Sequence, residues 1–321
     1  MATITLPGIV SEYGAYYEKS GQNKKRLIQK LLYGFESYKY MTPIKTDETI
    51  YKMAVSLLTR VLQGFKTTYS PTDGVKFDAN PITLFKNKID QSYYPDELED
   101  TWLGFLAGNQ TNRKEWPFIK WLIEVHIIPQ ANKDLEDAIF NAEYVAPTAG
   151  NATPGALLEI MNGLKKQIVD GKSSLNRITL ATLTTSNIFD QVEIFRKDIS
   201  LVYRRTEMKY FMAPSWADAY MLDKRNTFSS LQLGDYSKVD FSPHQVVGLP
   251  SMEGSDIIFA TPKSNMLYIT KKAANMTKFS VEENRRLVDI FSDFWQGVGF
   301  GTLGAVFASI PDTEDGSASG A

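Results

Sequence analysis

Apolar residues recur at helical spacing over long stretches of the chain, and this pattern predicts its main helices. Over residues 46–65 they fall on one face, with two acidic residues in the first turn, which predicts a helix. A longer stripe over 116–141 predicts a helix of roughly 40 Å at ~1.5 Å per residue. Pro129 lies inside this stripe and should bend the helix, because proline cannot donate a backbone hydrogen bond. A helix of this length is expected to be the scaffold of the fold.

Shorter stretches with the same periodicity predict the remaining helices. Residues 1–45 predict an arm with one short amphipathic helix, whose apolar face is Leu27, Ile28, Leu31 and Leu32. The helix predicted over 96–107 begins with four carboxylates, which are favourable near the positive end of the helix dipole. Four further helices are predicted over 154–169, 186–203, 214–225 and 281–295.

Alternation of apolar and polar residues predicts strands in other segments. Residues 66–94 hold short alternating pieces at 75–77 and 82–89, with turn signals at Pro71 and Asp73-Gly74, which predicts an extended hairpin with little core of its own. Further strands are predicted over 178–183, 209–212, 245–247, 256–260, 266–269 and 303–310. Helices and strands interleave without a regular βαβ period, so the predicted fold class is α+β.

Composition removes several chemistries from consideration. The 321 residues include no cysteine and two histidines, which excludes disulfide frameworks, zinc ribbons, iron–sulfur clusters and thiol nucleophiles. No second histidine or cysteine stands at ligand spacing from His126, which is interpreted as structural, and His244 has no evident nucleophile beside it. We therefore predict no catalytic residue, no cofactor-binding residue, no metal ligand and no cofactor, and we interpret the protein as not an enzyme.

Charge and hydropathy favour neither tight nucleic-acid binding nor membrane insertion. The chain has 35 basic and 37 acidic residues, a net charge of −2. The cluster Lys24, Lys25, Arg26 and Lys30 is interpreted as a solvated face or a subunit contact, with a nucleic-acid site as the less favoured alternative. No apolar run reaches the ~20 residues of a spanning helix, and the N-terminal residues lack the pattern of a secretory signal. No membrane partner is expected.

The residues Gly299-Phe-Gly301-Thr-Leu-Gly304 have the letters of a dinucleotide-binding fingerprint. That fingerprint opens a βαβ unit of ~30 residues and needs an acidic partner ~20 residues further on, for which the residues after Gly304 are too few. We interpret the glycines instead as positions where the backbone of a strand approaches a neighbour closely.

Several segments, taken in order, resemble a known family. Residues 210–223 (YFMAPSWADAYMLD) look like a strand that ends in a small-residue and proline turn before a helix. Residues 245–252 (QVVGLPSM), followed by 256–260 (DIIFA), look like a glycine–apolar–proline turn that leads into a strand. The extended hairpin and the long helix precede them, and the segment through 304–310 follows. Over about residues 65–310 this order resembles the major capsid proteins of tailed bacteriophages, which have the Hong Kong 97-type coat fold.

The resemblance implies a division of the chain into the parts of that fold. These are an N-terminal arm with the first helices over 1–64, an extended loop (E-loop) over 65–95, a peripheral domain over 96–170 and 271–311 with the spine helix 116–141, an axial domain over 171–270, and an acidic, small-residue tail over 312–321. An arm and a hairpin with few apolar residues would be poorly stable in an isolated subunit. Both are therefore expected to lie across neighbouring subunits.

The function that the resemblance implies is structural. The protein is expected to be a major capsid protein that self-assembles as hexamers and pentamers into an icosahedral shell around packaged double-stranded DNA, which it contacts without specificity. Scaffolding, portal and decoration proteins are the further partners implied. The expected location is the virion capsid, assembled in the cytoplasm of the host bacterium. An encapsulin-like nanocompartment shell is the alternative, and a soluble enzyme with an unrecognised site is the less favoured one.

Overall fold

The computed structural model describes residues 6–18, 21–57, 62–68, 76–148, 150, 153–228, 235–272 and 278–315. These residues form two mixed β-sheets, a separate two-stranded hairpin, and helices that pack on the sheets. The strands are β1 (Thr42–Thr46), β2 (Ile50–Leu57), β3 (Lys76–Thr83), β4 (Phe85–Tyr93), β5 (Asn176–Arg177), β6 (Lys209–Met212), β7 (Gln245–Gly248), β8 (Ile258–Thr261), β9 (Met266–Lys271), β10 (Lys278–Asn284), β11 (Leu287–Phe300) and β12 (Phe307–Ser309). The helices are α1 (Leu6–Tyr13), α2 (Gly21–Tyr33), α3 (Pro95–Gly108), α4 (Phe118–Trp121), α5 (Ile128–Asn141), α6 (Leu164–Asp170), α7 (Ile188–Asp198) and α8 (Pro214–Phe228). This content confirms the α+β class.

The first sheet is organised around β11, which is long enough to pair with three strands. Its first part lies between β10 and β4, both antiparallel to it, and the pairing with β4 ends where Gln296 faces Phe85. Its last part pairs antiparallel with β9, which in turn pairs in parallel with β1. β11, near the end of the chain, therefore belongs to the same sheet as β1 and β4 from the first third of the chain.

The second sheet has the strand order β5-β12-β8-β6-β7 and is covered on both faces. Because side chains alternate along a strand, Tyr210 and Met212 of β6 face α7 and α8, whereas Phe211 faces the opposite way into the main core. There Phe211 and Phe259 lie 5.0 Å apart between ring centroids, and Phe259 stacks on Phe140 of α5 at 6.4 Å. The second sheet is thus sandwiched between α7 and α8 on one side and the long helix on the other.

The long helix predicted from the sequence is confirmed over 118–141. It consists of α4, a π-helical turn at Leu122–Ile127 and α5, which follow one another without a break. Pro129 stands just after the π-helical turn. Because proline has no N–H and its ring clashes with the carbonyl four residues earlier, the regular hydrogen-bond ladder is lost there, and the widened turn accommodates it.

The helix predicted over 46–65 is wrong. Strand β2 occupies the first part of this segment, residues 62–68 have no regular structure, and 58–61 lie outside the described residues. β2 pairs antiparallel with β3, beginning with Ile50 opposite Thr83. Apolar positions in such a short segment fit a strand as well as a helix, and a partner strand further along the chain decides the outcome.

The hairpin predicted within 66–94 is wrong in its pairing, because its two pieces do not pair with each other. β3 pairs with β2, whereas β4 belongs to the first sheet as a partner of β11. Only Leu84 separates β3 from β4, so the chain passes directly from the hairpin into the sheet. The turn signals at Pro71 and Asp73-Gly74 lie outside the described residues. The extended hairpin therefore begins earlier in the sequence than expected.

The helix predicted over 281–295 is also wrong. β10 and β11 form an antiparallel hairpin across this segment. Arg285 in the turn has a φ of 59°, the left-handed conformation that tight hairpin turns use. Val288, Ile290 and Phe294 alternate towards the core with the period of two that a strand requires.

The other elements differ from the prediction mainly at their ends. The helices predicted over 96–107, 186–203 and 214–225, and the strands over 209–212, 245–247, 256–260, 266–269 and 303–310, are confirmed with shifted or shortened limits. Only the second half of the helix predicted over 154–169 forms, as α6. The strand predicted over 178–183 is wrong, because β5 ends before it and those residues have no regular structure. The predicted tail is described as far as residue 315.

The N-terminal arm differs from its prediction because its described part belongs to the subunit's own core. The predicted amphipathic helix is α2, but α1 and a π-helical turn at Gly14–Glu18 precede it. Ile9, Tyr13 and Tyr17 are buried. The hydroxyl of Tyr13 donates to the carbonyl oxygen of Phe279 on β10 at 2.8 Å. These three large side chains, which the predicted apolar face did not include, thus attach this part of the arm to the core of its own subunit.

Two of the three glycines of the fingerprint-like segment, Gly299 and Gly301, lie at close approaches to neighbouring atoms, as predicted, whereas Gly304 does not, and Gly297 earlier in β11 makes a further close approach. A Cβ atom on Gly299 would lie 2.8 Å from Cγ1 of Ile82, and one on Gly297 would lie 2.6 Å from the carbonyl oxygen of Thr83. β11 therefore lies directly against the base of the β2–β3 hairpin, and only glycine permits that distance.

Replacing Gly297 by alanine is expected to lower the free energy of unfolding by about 2 kcal/mol, because the backbone oxygen of Thr83 cannot move aside cheaply. Gly304→Ala is the matched control: a Cβ there would lie 3.7 Å from Oγ1 of Thr302, an ordinary contact, and stability should stay within about 0.5 kcal/mol. Urea unfolding of both variants measures the difference. Equal losses at the two positions would contradict the close approach.

Candidate functional site

The most distinctive feature is the β2–β3 hairpin, which forms a two-stranded sheet of its own. Its base is tied down, because the side-chain amide of Asn80 donates to the carbonyl oxygen of Phe300 at 2.7 Å. Met53 faces Asn80 across the ladder. Beyond this pair, the described parts of the two strands pair only with each other, as far as Leu57 opposite Lys76. The hairpin thus has a fixed base and a two-stranded extension.

The connection between these two strands carries exposed apolar side chains. Leu62 and Phe65 are 88% and 93% exposed, and every described residue from 62 to 68 is exposed. A two-stranded hairpin alone is marginally stable in water, and side chains this exposed add nothing to the core of the subunit. The hairpin therefore has the properties of an arm that becomes stable when another surface covers its apolar side chains.

A carboxylate on the π-helical turn of the long helix anchors the N-terminal arm. The hydroxyl of Tyr17 donates to Oε1 of Glu124 at 3.0 Å, and Lys30 of the predicted basic cluster forms an ion pair with the other oxygen of Glu124. Burial, and then the neighbouring Glu124 charge, raises the pKa of Tyr17 far above its usual range, so this hydroxyl remains a donor. Glu124 and its partners Tyr17 and Lys30 therefore join the N-terminal arm to the long helix.

A second carboxylate of the long helix has the same role. Glu136 on α5 is buried and accepts hydrogen bonds from the backbone N–H of Ser37, at 2.8 Å, and from its hydroxyl. Both oxygens of the buried carboxylate are thereby satisfied. Its partners leave it no geometry for acid–base work on a substrate.

The last described residues form a carboxylate clamp on the surface of the subunit. Glu314 accepts from the Lys165 ammonium group and from the backbone N–H of Asp256 at 2.7 Å. Burial alone would raise the pKa of Glu314, but these donors together lower it below its ordinary value. Asp315 pairs with Lys172 at 2.6 Å. The chain end is thus attached to the turn before β8 and to the region of α6.

The two histidines contact aromatic rings. His126, which is exposed, meets Trp121 edge to face with 4.5 Å between ring centroids. His244 is buried and stacks on Tyr210 at 5.1 Å. Burial lowers the pKa of His244, and the flanking backbone of Arg204 and Met208 opposes that shift in part. His244 is therefore a neutral packing residue at neutral pH.

Lowering the pH from 7 towards 5 is expected to destabilise the subunit through His244. The unfolded chain binds a proton near pH 6.5, whereas the folded chain binds it only at lower pH. Between the two pKa values the unfolded state holds more protons, so the free energy of unfolding falls as pH falls, by up to about 1.4 kcal/mol per pH unit. Thermal unfolding at several pH values should show this slope reduced in His244→Phe and kept in His126→Gln. An unchanged slope in His244→Phe would contradict the assignment.

The described residues give little support to a catalytic or metal-binding centre. Among them, no group of three or more histidine, aspartate or glutamate side chains is placed to hold a metal ion. A surface depression of about 360 Å³ beside the second sheet is lined by Tyr40, Phe211, Lys39, Lys209 and Lys263, among others. The lining also includes Glu207, which forms an ion pair with Lys209 at 3.5 Å. Within the same described ranges, no helix is long and apolar enough to cross a membrane.

Chains of capsids are among the solved structures that superpose on this chain. No model of a known protein family matches the chain, and no curated protein sequence is significantly similar to it. A chain from the satellite phage P4 procapsid with its size determination protein superposes with a TM-score of 0.57 at 12% identity, over 89% of this chain and 98% of that chain. A chain of the native GTA particle capsid superposes with a TM-score of 0.54 at 12% identity, over 86% of this chain and 90% of that chain. A chain of Microbacterium phage Oxtober96 superposes with a TM-score of 0.51 at 11% identity, over 87% of this chain and 91% of that chain. This chain has the Hong Kong 97-type coat fold.

The coat fold confirms the resemblance that the sequence suggested, and it extends over nearly the whole chain. Identity of about one residue in eight supports a common fold and assigns no role to a single residue. The two segments misjudged as helices are strands within this coat fold.

Proposed function

We propose that the chain is a major capsid protein of a tailed double-stranded DNA phage, which self-assembles as hexamers and pentamers into an icosahedral shell. The coat fold supports a shell-forming role. The observation that carries the proposal is the β2–β3 hairpin, which leaves its own core at Met53 and Asn80 and exposes Leu62 and Phe65. In a shell, the surface of a neighbouring copy would cover these side chains and stabilise the hairpin by mass action.

The division of the chain that we propose keeps the parts inferred from the sequence and moves several of their boundaries. The E-loop would comprise β2, β3 and their connection, residues 50–83, instead of 65–95, because β4 is a strand of the first sheet. The peripheral domain would contain the first sheet and the long helix. The axial domain would contain the second sheet with α7 and α8.

A shell of this kind implies further partners. Scaffolding, portal and decoration proteins would contact the assembled coat, and packaged DNA would contact its inner wall without sequence specificity. Because the net charge is only −2, such DNA contacts would depend on local basic groups and would weaken as salt concentration rises. The coat would form in the cytoplasm of the host bacterium and persist in the virion.

Particle size tests the proposal. The protein is expressed alone and together with candidate scaffolding proteins of the same phage, and its products are measured by light scattering and velocity sedimentation. We expect capsomers or closed shells. Small oligomers only, under assembly conditions with the scaffold present, would contradict the proposal. Nuclease-protected double-stranded DNA in particles from infected cells would support a genome shell, whereas a co-purifying enzyme cargo would indicate an encapsulin-like compartment.

A further inference from the structure

The outer face of α7 carries an exposed stripe of three residues in the order acidic, apolar, basic. These are Asp190, Ile194 and Lys197, of which Ile194 is 39% exposed. Residues spaced by four and then three positions lie on one face of a helix. The opposite face of α7 packs on the second sheet through Val192 and Phe195. The stripe therefore points away from the core.

The outer face of α8 carries a stripe of the same spacing and the same order. It consists of Asp218, Leu222 and Arg225, and Leu222 is 49% exposed. Within one subunit the two helices already touch through other residues. The ring of Phe189 stacks on Tyr220 at 6.0 Å between centroids. The two stripes thus remain available after α7 and α8 have packed together.

The four charges of these stripes are uncompensated within the described part of the subunit. No ion pair or side-chain hydrogen bond joins Asp190, Lys197, Asp218 or Arg225 to another described residue. Other charges on the same two helices are paired, as the Glu193–Arg196 ion pair at 2.9 Å shows. The helix dipole favours acid at the start and base at the end of a helix, but it gives no reason for an exposed apolar residue between them.

The two stripes match each other when the helices run in opposite directions. The first and last residues of each stripe are seven positions apart, about 10.5 Å along the helix. In the antiparallel arrangement Asp190 faces Arg225, Ile194 faces Leu222, and Lys197 faces Asp218. In the parallel arrangement acid would face acid and base would face base, which is repulsive. The charge pattern therefore specifies both a partner helix and its direction.

We propose that the α7 stripe of one copy of this chain binds antiparallel to the α8 stripe of the next copy. This contact deepens the proposed shell function and depends on it. Because the two stripes are different surfaces of one chain, the contact is heterologous and repeats from copy to copy until the rotation closes a ring. Each exposed ion pair adds little affinity, so a single contact mainly sets the orientation and register of the two copies. The affinity comes from many identical contacts that act together in a ring.

Charge exchange tests the pairing. Asp218→Lys places a lysine opposite Lys197, and we expect it to raise the protein concentration needed for assembly about tenfold. Adding Lys197→Asp reverses the pair and is expected to restore assembly to the wild-type concentration. The matched control combines Asp218→Lys with Arg225→Asp, which has the same net charge but leaves both facing pairs repulsive, and it should assemble at least as poorly as the single variant.

Light scattering measures the assembly concentration, and circular dichroism with thermal unfolding verifies that every variant is folded; all three positions are exposed and unpaired among the described residues. Assembly of Asp218→Lys at the wild-type concentration would overturn the contact. Equal rescue by the cognate and the control double variants would overturn it as well. Absence of any particle from the wild-type protein would instead count against the proposed function.

Discussion

Replacing residues 54–79 by an Asn-Gly turn is expected to leave a folded subunit that forms no shells. Met53 and Asn80 face each other across the ladder, so a two-residue turn of the type favoured in tight hairpins joins them. The bond from Asn80 to Phe300, which ties the hairpin to the body, stays in place. Circular dichroism and thermal unfolding should change little, whereas velocity sedimentation should lose the shell peak completely, because the intersubunit arm is gone.

Deleting residues 70–90 is the matched comparison and is expected to unfold the subunit. This deletion removes Ile82 and Leu84, which are buried, and breaks the pairing of β4 with β11. Loss of two such core side chains costs about 2–5 kcal/mol each, a large part of the stability of a domain. Shell formation by the 54–79 replacement would contradict the intersubunit role of the hairpin, and its unfolding would place the hairpin in the core.

Asp240→Ala is expected to lower the free energy of unfolding by about 3 kcal/mol. Its partner Lys224 on α8 is only 3% exposed and donates to Oδ1 of Asp240 at 2.8 Å and to the carbonyl oxygen of Lys238. Removing the carboxylate leaves a buried ammonium group without a counter-charge, which is the costly way to break such a pair. Urea unfolding followed by circular dichroism measures the loss.

Two further variants separate the buried charge from other causes. Adding Lys224→Met to Asp240→Ala removes the orphaned charge and should recover most of the lost stability. Asp235→Ala, in the same loop, removes an exposed carboxylate that accepts from Ser237, and it should cost less than about 1 kcal/mol. Equal losses for Asp240→Ala and Asp235→Ala would contradict the role of the buried pair.

The elements that the sequence predicted well are those whose contacts are local. The long helix over 118–141 could be predicted because its stripe of apolar residues repeats over several turns. The segments 46–65 and 281–295 could not, because each is short and its apolar positions satisfy the periods of both a helix and a strand. The partner strand decided each case: β3 for β2, and β4 and β9 for β11.

The candidate surfaces were predicted in part. The scarcity of apolar residues over 66–94 predicted a hairpin there, but β3 pairs with β2 from outside this range, and β4 belongs to the first sheet. Ile50, Tyr51 and Val55, residues that favour strands, were the available signal. The stripes on α7 and α8 are visible in the sequence as well. The exposure of the stripes cannot be predicted from the sequence, because it depends on which face of each helix packs on the second sheet.

Electron microscopy of the purified assembled particles would show directly whether the hairpin joins neighbouring subunits in a shell. We expect closed shells built from five- and sixfold capsomers, with density for the β2–β3 hairpin lying across a neighbouring subunit. Shells in which this hairpin folds back onto its own subunit would contradict the proposed arm, and preparations that contain only single subunits or small oligomers, with the scaffold present, would contradict the shell function itself.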